Sequence, residues 1–225
     1  MPTIKENIES VRASIADCEA AAGRTPGSVR LLAVSKTFPA ADIAEAMKTG
    51  QIMFGENRVQ ELAEKVPVLS ENIEWHLIGH LQSNKAAKAA ELAAWVHSVD
   101  SAKLLKKLNE AAEGKTLNVL LEVNWTGEES KSGIRGREAV FELAEIVLGC
   151  KNLKLQGLMT MAEAGADEKR LHETFAGVRG LRDSLQAEYA IALPELSMGM
   201  SGDYRIAIAE GATIVRVGTA IFGRR

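Results

Sequence analysis

Cysteine is scarce in this chain: Cys18 and Cys150 are the only two in 225 residues, far apart and without metal-ligand spacing. Neither a disulfide framework nor a zinc site is suggested. Aromatic residues make up 4% and the formal net charge is -3, so there is little to stack nucleic-acid bases and no basic field to attract a phosphate backbone. No apolar run approaches a membrane span. The stretch 1–20 carries acids throughout and lacks the apolar core of a secretion signal, so a cytoplasmic protein is expected, with no nucleic acid and no membrane as partner. Only five prolines occur, and no composition break or linker divides the chain.

What is present is alternation. Ile4, Ile8, Val11 and Ile15 recur at helical spacing, so residues 3–22 read as an amphipathic helix ended by Gly23 and Pro26. The apolar run Val29-Arg30-Leu31-Leu32-Ala33-Val34-Ser35-Lys36 then reads as a first strand. Helical segments at 39–49, 58–66, 84–92, 102–112, 137–148, 167–188 and 204–210 alternate with strands at 52–54, 75–78, 95–99, 118–123, 154–159, 195–197 and 213–217. Eight strands in this spacing predict an α/β fold, a single-domain (β/α)8 TIM barrel over 1–225 preceded by an N-terminal helix. An open Rossmann-like sheet is the alternative, but no Gly-x-Gly-x-x-Gly follows the first strand.

In such a barrel the functional side chains gather where strands end. Lys36 stands at the first of these ends. A lysine there is either a solvated strand terminus or an amine poised to lose its proton and condense with a carbonyl. The last two strands bear on the choice. Ser197-Met198-Gly199-Met200-Ser201-Gly202-Asp203 and Arg216-Val217-Gly218-Thr219 have the glycines and hydroxyls of a phosphate cradle, with a helix starting near Asp203. Their glycines could equally serve tight turns. An amine beside a phosphate cradle is what pyridoxal 5'-phosphate requires.

Arg216 lies inside the final strand. Facing a pyridine nitrogen, it would keep that nitrogen unprotonated and weaken the ring as an electron sink; otherwise it forms a barrel-end salt bridge with an acid such as Glu122. His80 follows a strand, where an imidazole could stack on a flat ring. Asn57, in Phe54-Gly55-Glu56-Asn57-Arg58, is as readily a helix cap as a cofactor contact. His76, His97 and His172 lack metal-ligand spacing, and no metal is expected.

Together, Ala33-Val34-Ser35-Lys36, Phe54-Gly55-Glu56-Asn57, the run from Trp75 through His80 to Lys85, Gly157-Leu158-Met159-Thr160-Met161 and the two motifs of the last strands resemble the pyridoxal phosphate homeostasis protein family over essentially the whole chain. The resemblance implies a barrel like the N-terminal domain of alanine racemase, with pyridoxal phosphate as an aldimine on Lys36. It further implies Ser201, Gly218 and Thr219 as phosphate ligands, Arg216 as the partner of the ring nitrogen, and Asn57, His80 and Met198 as pocket wall. The role implied is a non-catalytic carrier or regulator in vitamin B6 and amino-acid balance, and no catalytic residue is assigned. The ligands expected are pyridoxal phosphate and other B6 vitamers, with transient contact with pyridoxal phosphate-dependent apo-enzymes. The alternative is an amino-acid racemase or lyase, which needs a second acid/base opposite Lys36. Related racemases bring a tyrosine from an added domain; here Tyr189 falls on a surface helix and Tyr204 beside the cradle, and the chain stops at Arg225. A closed barrel leaves no open sheet edge, so a monomer, at most a weak dimer, is expected.

Overall fold

The computed structural model describes residues 2–128 and 131–223. Helix α1 (Ile4–Ala21) begins with a capping box in which Thr3 and Glu6 satisfy each other's backbone N–H groups. Its apolar stripe Ile8, Val11 and Ile15 is buried. The chain then alternates through β1 (Arg30–Val34), α2 (Ala40–Met47), β2 (Met53–Glu56), α3 (Val59–Lys65), β3 (Glu74–Leu77), α4 (Ala86–Leu92), β4 (Trp95–Val99) and α5 (Ala102–Ala111). The second half continues with β5 (Leu117–Val123), α6 (Arg137–Leu148), β6 (Leu153–Thr160), α7 (Glu168–Tyr189), β7 (Glu195–Ser197), α8 (Tyr204–Ala209), β8 (Ile214–Val217) and α9 (Thr219–Phe222).

All eight strands are parallel and pair in chain order, and β8 returns to β1 with Arg30 opposite Ile214 and Ala33 opposite Val217. The sheet is therefore a closed barrel, not a doubly wound one. Two local details depart from the sequence expectation. The helix expected from residue 84 opens as a 3-10 turn at Ser83–Lys85 and becomes α-helical at Ala86. Helix α9 was not expected, because four residues are too few to show a period.

Side chains alternate across each strand, and this sorts the core into two regions. Outward positions such as Leu31, Ala33, Phe54, Trp75, Leu77, Val96, Val215 and Val217 join the helices in one continuous apolar layer. Phe54 and Phe175 are wholly buried there, each contributing ~2–3 kcal/mol of transfer free energy. Inward positions form two small clusters, Leu32 with Met53 and Ile214, and Trp95 with Leu120 and Met159.

The remaining inward volume is polar. His76 on β3 and His97 on β4 are both wholly buried, with Nδ1 of the first 2.8 Å from Nε2 of the second. His76 also stacks on Trp95 at 5.4 Å between ring centroids. Burial holds both imidazoles below the ordinary histidine range, His97 well below it. The unfolded chain protonates His97 near its ordinary value and the folded chain does not, so its contribution is complete above pH ~6.5 and is lost as pH falls. Relative to His97→Phe, the wild-type chain should lose stability from pH 6.5 towards 5 at up to ~1.4 kcal/mol per pH unit. Urea unfolding of both proteins across that range checks the slope, whatever their constant offset; a flat difference would contradict it.

Candidate functional site

Strand β1 delivers Lys36 to the mouth of the barrel through a tight turn. Ser35 is buried, Lys36 and Thr37 are exposed, and the Phe38 N–H closes the turn onto the Ser35 carbonyl at 3.1 Å. Thr37 takes a φ of 65°, a left-handed conformation that costs a β-branched residue roughly 1–3 kcal/mol. A conformation of that kind persists only when its surroundings hold it.

The holding groups lie just outside the barrel. Ser35 Oγ donates to Glu56 Oε1 at 2.7 Å, and Lys65 Nζ donates to the same oxygen at 2.7 Å and to the Ser35 carbonyl at 3.0 Å. Lys65 also donates to Glu61 Oε2 at 3.0 Å, and that oxygen accepts the Thr37 N–H. Both neighbours of Lys36 are thus tied to one buried charge cluster. Burial raises the Glu56 carboxyl to about 7, outweighing the opposing pull of Lys65 and Ser35. Glu56, Glu61 and Lys65 were not singled out from sequence. The i,i+4 spacing of Glu61 and Lys65 signals an ion pair, but nothing in it signals burial.

Lys36 opens onto a cleft of about 410 Å³ at the C-terminal ends of the strands. Asn57, His80, Ser201, Arg216, Gly218 and Thr219 line it with Lys36, and Val34, Ile78, Met161 and Met200 supply apolar surface. Seven of the eight residues expected at the site are therefore brought together from β1, β2, β3, β7 and β8. The exception is Met198. Since Ser197 points into the barrel, Met198 alternates outward, where it is 1% exposed in the helix-side core. Met200, 39% exposed, and Met161 occupy the wall expected for it.

Asn57 is not a helix cap, since Arg58 holds that position in α3 without a side-chain bond. Its backbone crosses so close to Gly79 that a Cβ there would stand 2.3 Å from the Asn57 carbonyl oxygen. Glycine at 79 thus lets β2 and β3 converge at the cleft. His80 is exposed, with Nδ1 3.5 Å from Asp100 Oδ2. In the loop after β7, Gly199 combines a φ of 91° with an approach that would put a Cβ 2.6 Å from that of Ala207. Asp203 turns back to accept the Met200 N–H, which shapes the segment carrying Ser201 and Gly202. After β8, Gly218 caps α9, and its carbonyl accepts the Ile221 and Phe222 N–H groups, both at 2.9 Å.

Arg216 is 4% exposed and reaches the cleft from inside the barrel. Its Nη1 donates to the Ser197 carbonyl at 2.7 Å and to Ser197 Oγ at 2.9 Å, and its Nη2 donates to the Thr160 carbonyl at 2.9 Å. Burial lowers its pKa to about 10, which leaves it cationic at neutral pH. The alternative salt bridge with Glu122 is not formed among the described residues. Glu122 Oε1 accepts from Ser132 Oγ at 2.7 Å, its Oε2 has no hydrogen-bond partner among the described residues, and burial raises its pKa. Neither tyrosine lines the cleft. Tyr204 donates its hydroxyl to Ser14 Oγ on α1 at 2.8 Å, and Tyr189 donates to the Phe141 carbonyl at 3.1 Å.

A parallel barrel whose mouth combines a strand-end lysine, two hydroxyls on glycine-bearing loops and a buried guanidinium defines a class of ligand-binding (β/α)8 proteins with an amine and an anion-type donor set. Residues 4–225 match the family model described as alanine racemase, N-terminal domain. A pyridoxal phosphate homeostasis protein of Vibrio alginolyticus is 48% identical over 100% of this chain and 99% of its own length. The solved structure of PipY from Synechococcus elongatus with PLP bound is 40% identical, with a TM-score of 0.83 over 93% of this chain and 100% of that one. An alanine racemase of Clostridium difficile, 16% identical, shares the fold at a TM-score of 0.77 over 99% of this chain and 57% of that one. The chain belongs to the alanine racemase N-terminal domain family and, within it, to the pyridoxal phosphate homeostasis proteins.

The charge cluster behind Lys36 makes its own prediction. Lys65→Met removes the cation that, among the described residues, is bonded to the buried Glu56 carboxyl and should destabilise the fold by ~3–5 kcal/mol. Adding Glu56→Leu should recover much of that loss, because an apolar pair leaves no buried charge unpaired. Urea denaturation of the single and double variants measures both, and a single variant as stable as wild type would refute the role given to the pair.

Proposed function

We propose that this protein binds pyridoxal 5'-phosphate reversibly through Lys36 and acts in vitamin B6 and amino-acid homeostasis as a cytoplasmic, monomeric carrier or regulator without a reaction of its own. The observation that carries the reading is that one cleft holds a primary amine, the hydroxyls of Ser201 and Thr219, and a guanidinium that can only donate. When bound, pyridoxal 5'-phosphate supplies an aldehyde that condenses with an amine, a phosphate and a ring nitrogen. The donor set fits these groups one for one.

Each residue then has a task set by its chemistry. Lys36, projecting from its clamped turn, would supply the amine that holds the aldehyde carbon covalently, with the carbonyl oxygen released as water. Ser201 and Thr219 donate their hydroxyl protons to phosphate oxygens, with the backbone at Gly218 and the start of α9 alongside. Arg216 donates to the ring nitrogen and, staying protonated itself, keeps that nitrogen an acceptor. Asn57 and His80 close the wall, and the apolar edges of Met161 and Met200 keep water from the ring. The exposed mouth suits a ligand that must leave again, whether to solution or to a pyridoxal phosphate-dependent apo-enzyme.

The absence of catalysis is supported by the two tyrosines, since both hydroxyls are spent on structural bonds away from the cleft. Addition of pyridoxal 5'-phosphate should produce a visible absorbance band in the wild-type protein that Lys36→Ala abolishes without loss of thermal stability. A band that survives in the variant would sink the assignment of Lys36. Incubation of the loaded protein with a panel of amino acids in deuterated water should give no exchange at Cα, whereas exchange with turnover would establish a racemase or lyase instead.

A further inference from the structure

Five polar side chains run in line through the barrel interior, and the functional reading uses only the last. Glu74 starts β3 at the end of the barrel opposite the cleft, with its side chain 36% exposed. Its Oε1 lies 2.9 Å from His76 Nε2, His76 Nδ1 lies 2.8 Å from His97 Nε2, and His97 Nδ1 lies 3.0 Å from Ser197 Oγ. Ser197 Oγ stands 2.9 Å from Arg216 Nη1. The series joins the floor of the barrel to the cleft without a gap.

Donor and acceptor chemistry allows one direction through it. A guanidinium only donates, so Ser197 Oγ accepts from Arg216 and sends its own proton to His97 Nδ1. A neutral imidazole that accepts at Nδ1 donates at Nε2, and His97 therefore donates to His76 Nδ1. His76 repeats the pattern and donates from Nε2 to the Glu74 carboxylate, which only accepts. Every link has one donor and one acceptor. The opposite direction would require a protonated Glu74, whose carboxyl is held below its usual range first of all by the His76 bond, and would leave the Ser197 proton without an acceptor in the series. A charged imidazole in the middle is disfavoured by full burial of both rings and by the Arg216 charge beside His97.

We propose that Glu74, His76, His97 and Ser197 are positioning residues, a one-directional hydrogen-bond chain anchored by a carboxylate at one end of the barrel that orients the Arg216 guanidinium at the other. The physical link is the Ser197 hydroxyl. Because His97 takes its proton, the hydroxyl presents a lone pair to Nη1, which with the Ser197 and Thr160 carbonyls fixes the plane of the guanidinium. If His97 carried its proton on Nδ1, the hydroxyl would accept from both neighbours and its own proton would have no acceptor in the series, so the chain would no longer fix its orientation towards Nη1. The consequence for the bound ligand rests on the assignment of Arg216 to the ring nitrogen. The chain itself does not.

Nitrogen-15 NMR of the histidine side chains in the cofactor-free protein reads the chain directly. His76 and His97 should both be neutral Nε2–H tautomers, and an Nδ1–H tautomer or an imidazolium at either would overturn the proposal. Since no ligand is present, this result stands whether or not pyridoxal 5'-phosphate binds. The second arm uses the ligand. Ser197→Ala and the distant, part-exposed Glu74→Ala should shift the absorbance maximum of the bound cofactor and weaken its binding about tenfold, the equivalent of one hydrogen bond. Glu74→Gln, whose amide oxygen can still accept from His76, should restore most of both. Variants that all keep the wild-type band and affinity would show that Arg216 needs no such support.

Discussion

Hydrogen bonding between β1 and β8 closes the sheet, and the site exists because of that closure. Lys36 and Arg216 are 180 positions apart along the chain, yet Leu32 pairs with Arg216 and Ala33 with Val217, so both strands end at the same rim. Without this pairing the amine and the guanidinium would belong to opposite edges of an open sheet. Loop closure of that length is entropically costly, and it is sustained by the helix-side apolar layer that runs unbroken around the barrel.

Two polar assemblies then do what an apolar core cannot. Outside the barrel, Glu56, Glu61 and Lys65 fix the backbone on either side of Lys36, including the strained Thr37, so the amine projects from a rigid turn. Inside, Arg216 is held by two carbonyls and a hydroxyl, and its charge is kept close to acceptors that the strands already provide. Both assemblies bury charge against a desolvation cost: three acceptors hold Arg216, whereas Glu56 Oε2 has no partner among the described residues and burial raises that carboxyl to about 7. They place rigid groups beneath an exposed mouth, an arrangement suited to holding a ligand firmly in orientation and still releasing it.

Much of this was legible in the residues. The alternation of apolar strands with amphipathic helices announced the barrel, and β4, β7 and α6 fall where the pattern put them, because strongly periodic segments leave little choice. Lys36, Asn57, His80, Ser201, Gly218 and Thr219 could be picked out because a barrel displays whatever follows its strands, and Arg216, inside the last strand, because of its charge there and the family resemblance. Met198 was misplaced by one step of alternation: once Ser197 faces inward, its neighbour must face the helices, and Met200 takes the wall. His76 and His97 looked unrelated because their separation of 21 positions has no periodic meaning, although the adjacency of β3 and β4 sets them side by side.

The sequence by itself determined the order of elements, the parallel barrel and most of the polar groups at the cleft, since periodicity and strand ends are local properties of the chain. Only the tertiary structure decided which of those groups meet and how they are supported. Lys65 under Lys36, the absence of an Arg216–Glu122 pair among the described residues, the turning away of Tyr204 towards α1, and the line from Glu74 to Arg216 all depend on register and inward-facing alternation across different strands and helices. Those are distances through space, set when packing fixes the strands against one another, and no spacing along a single segment encodes them.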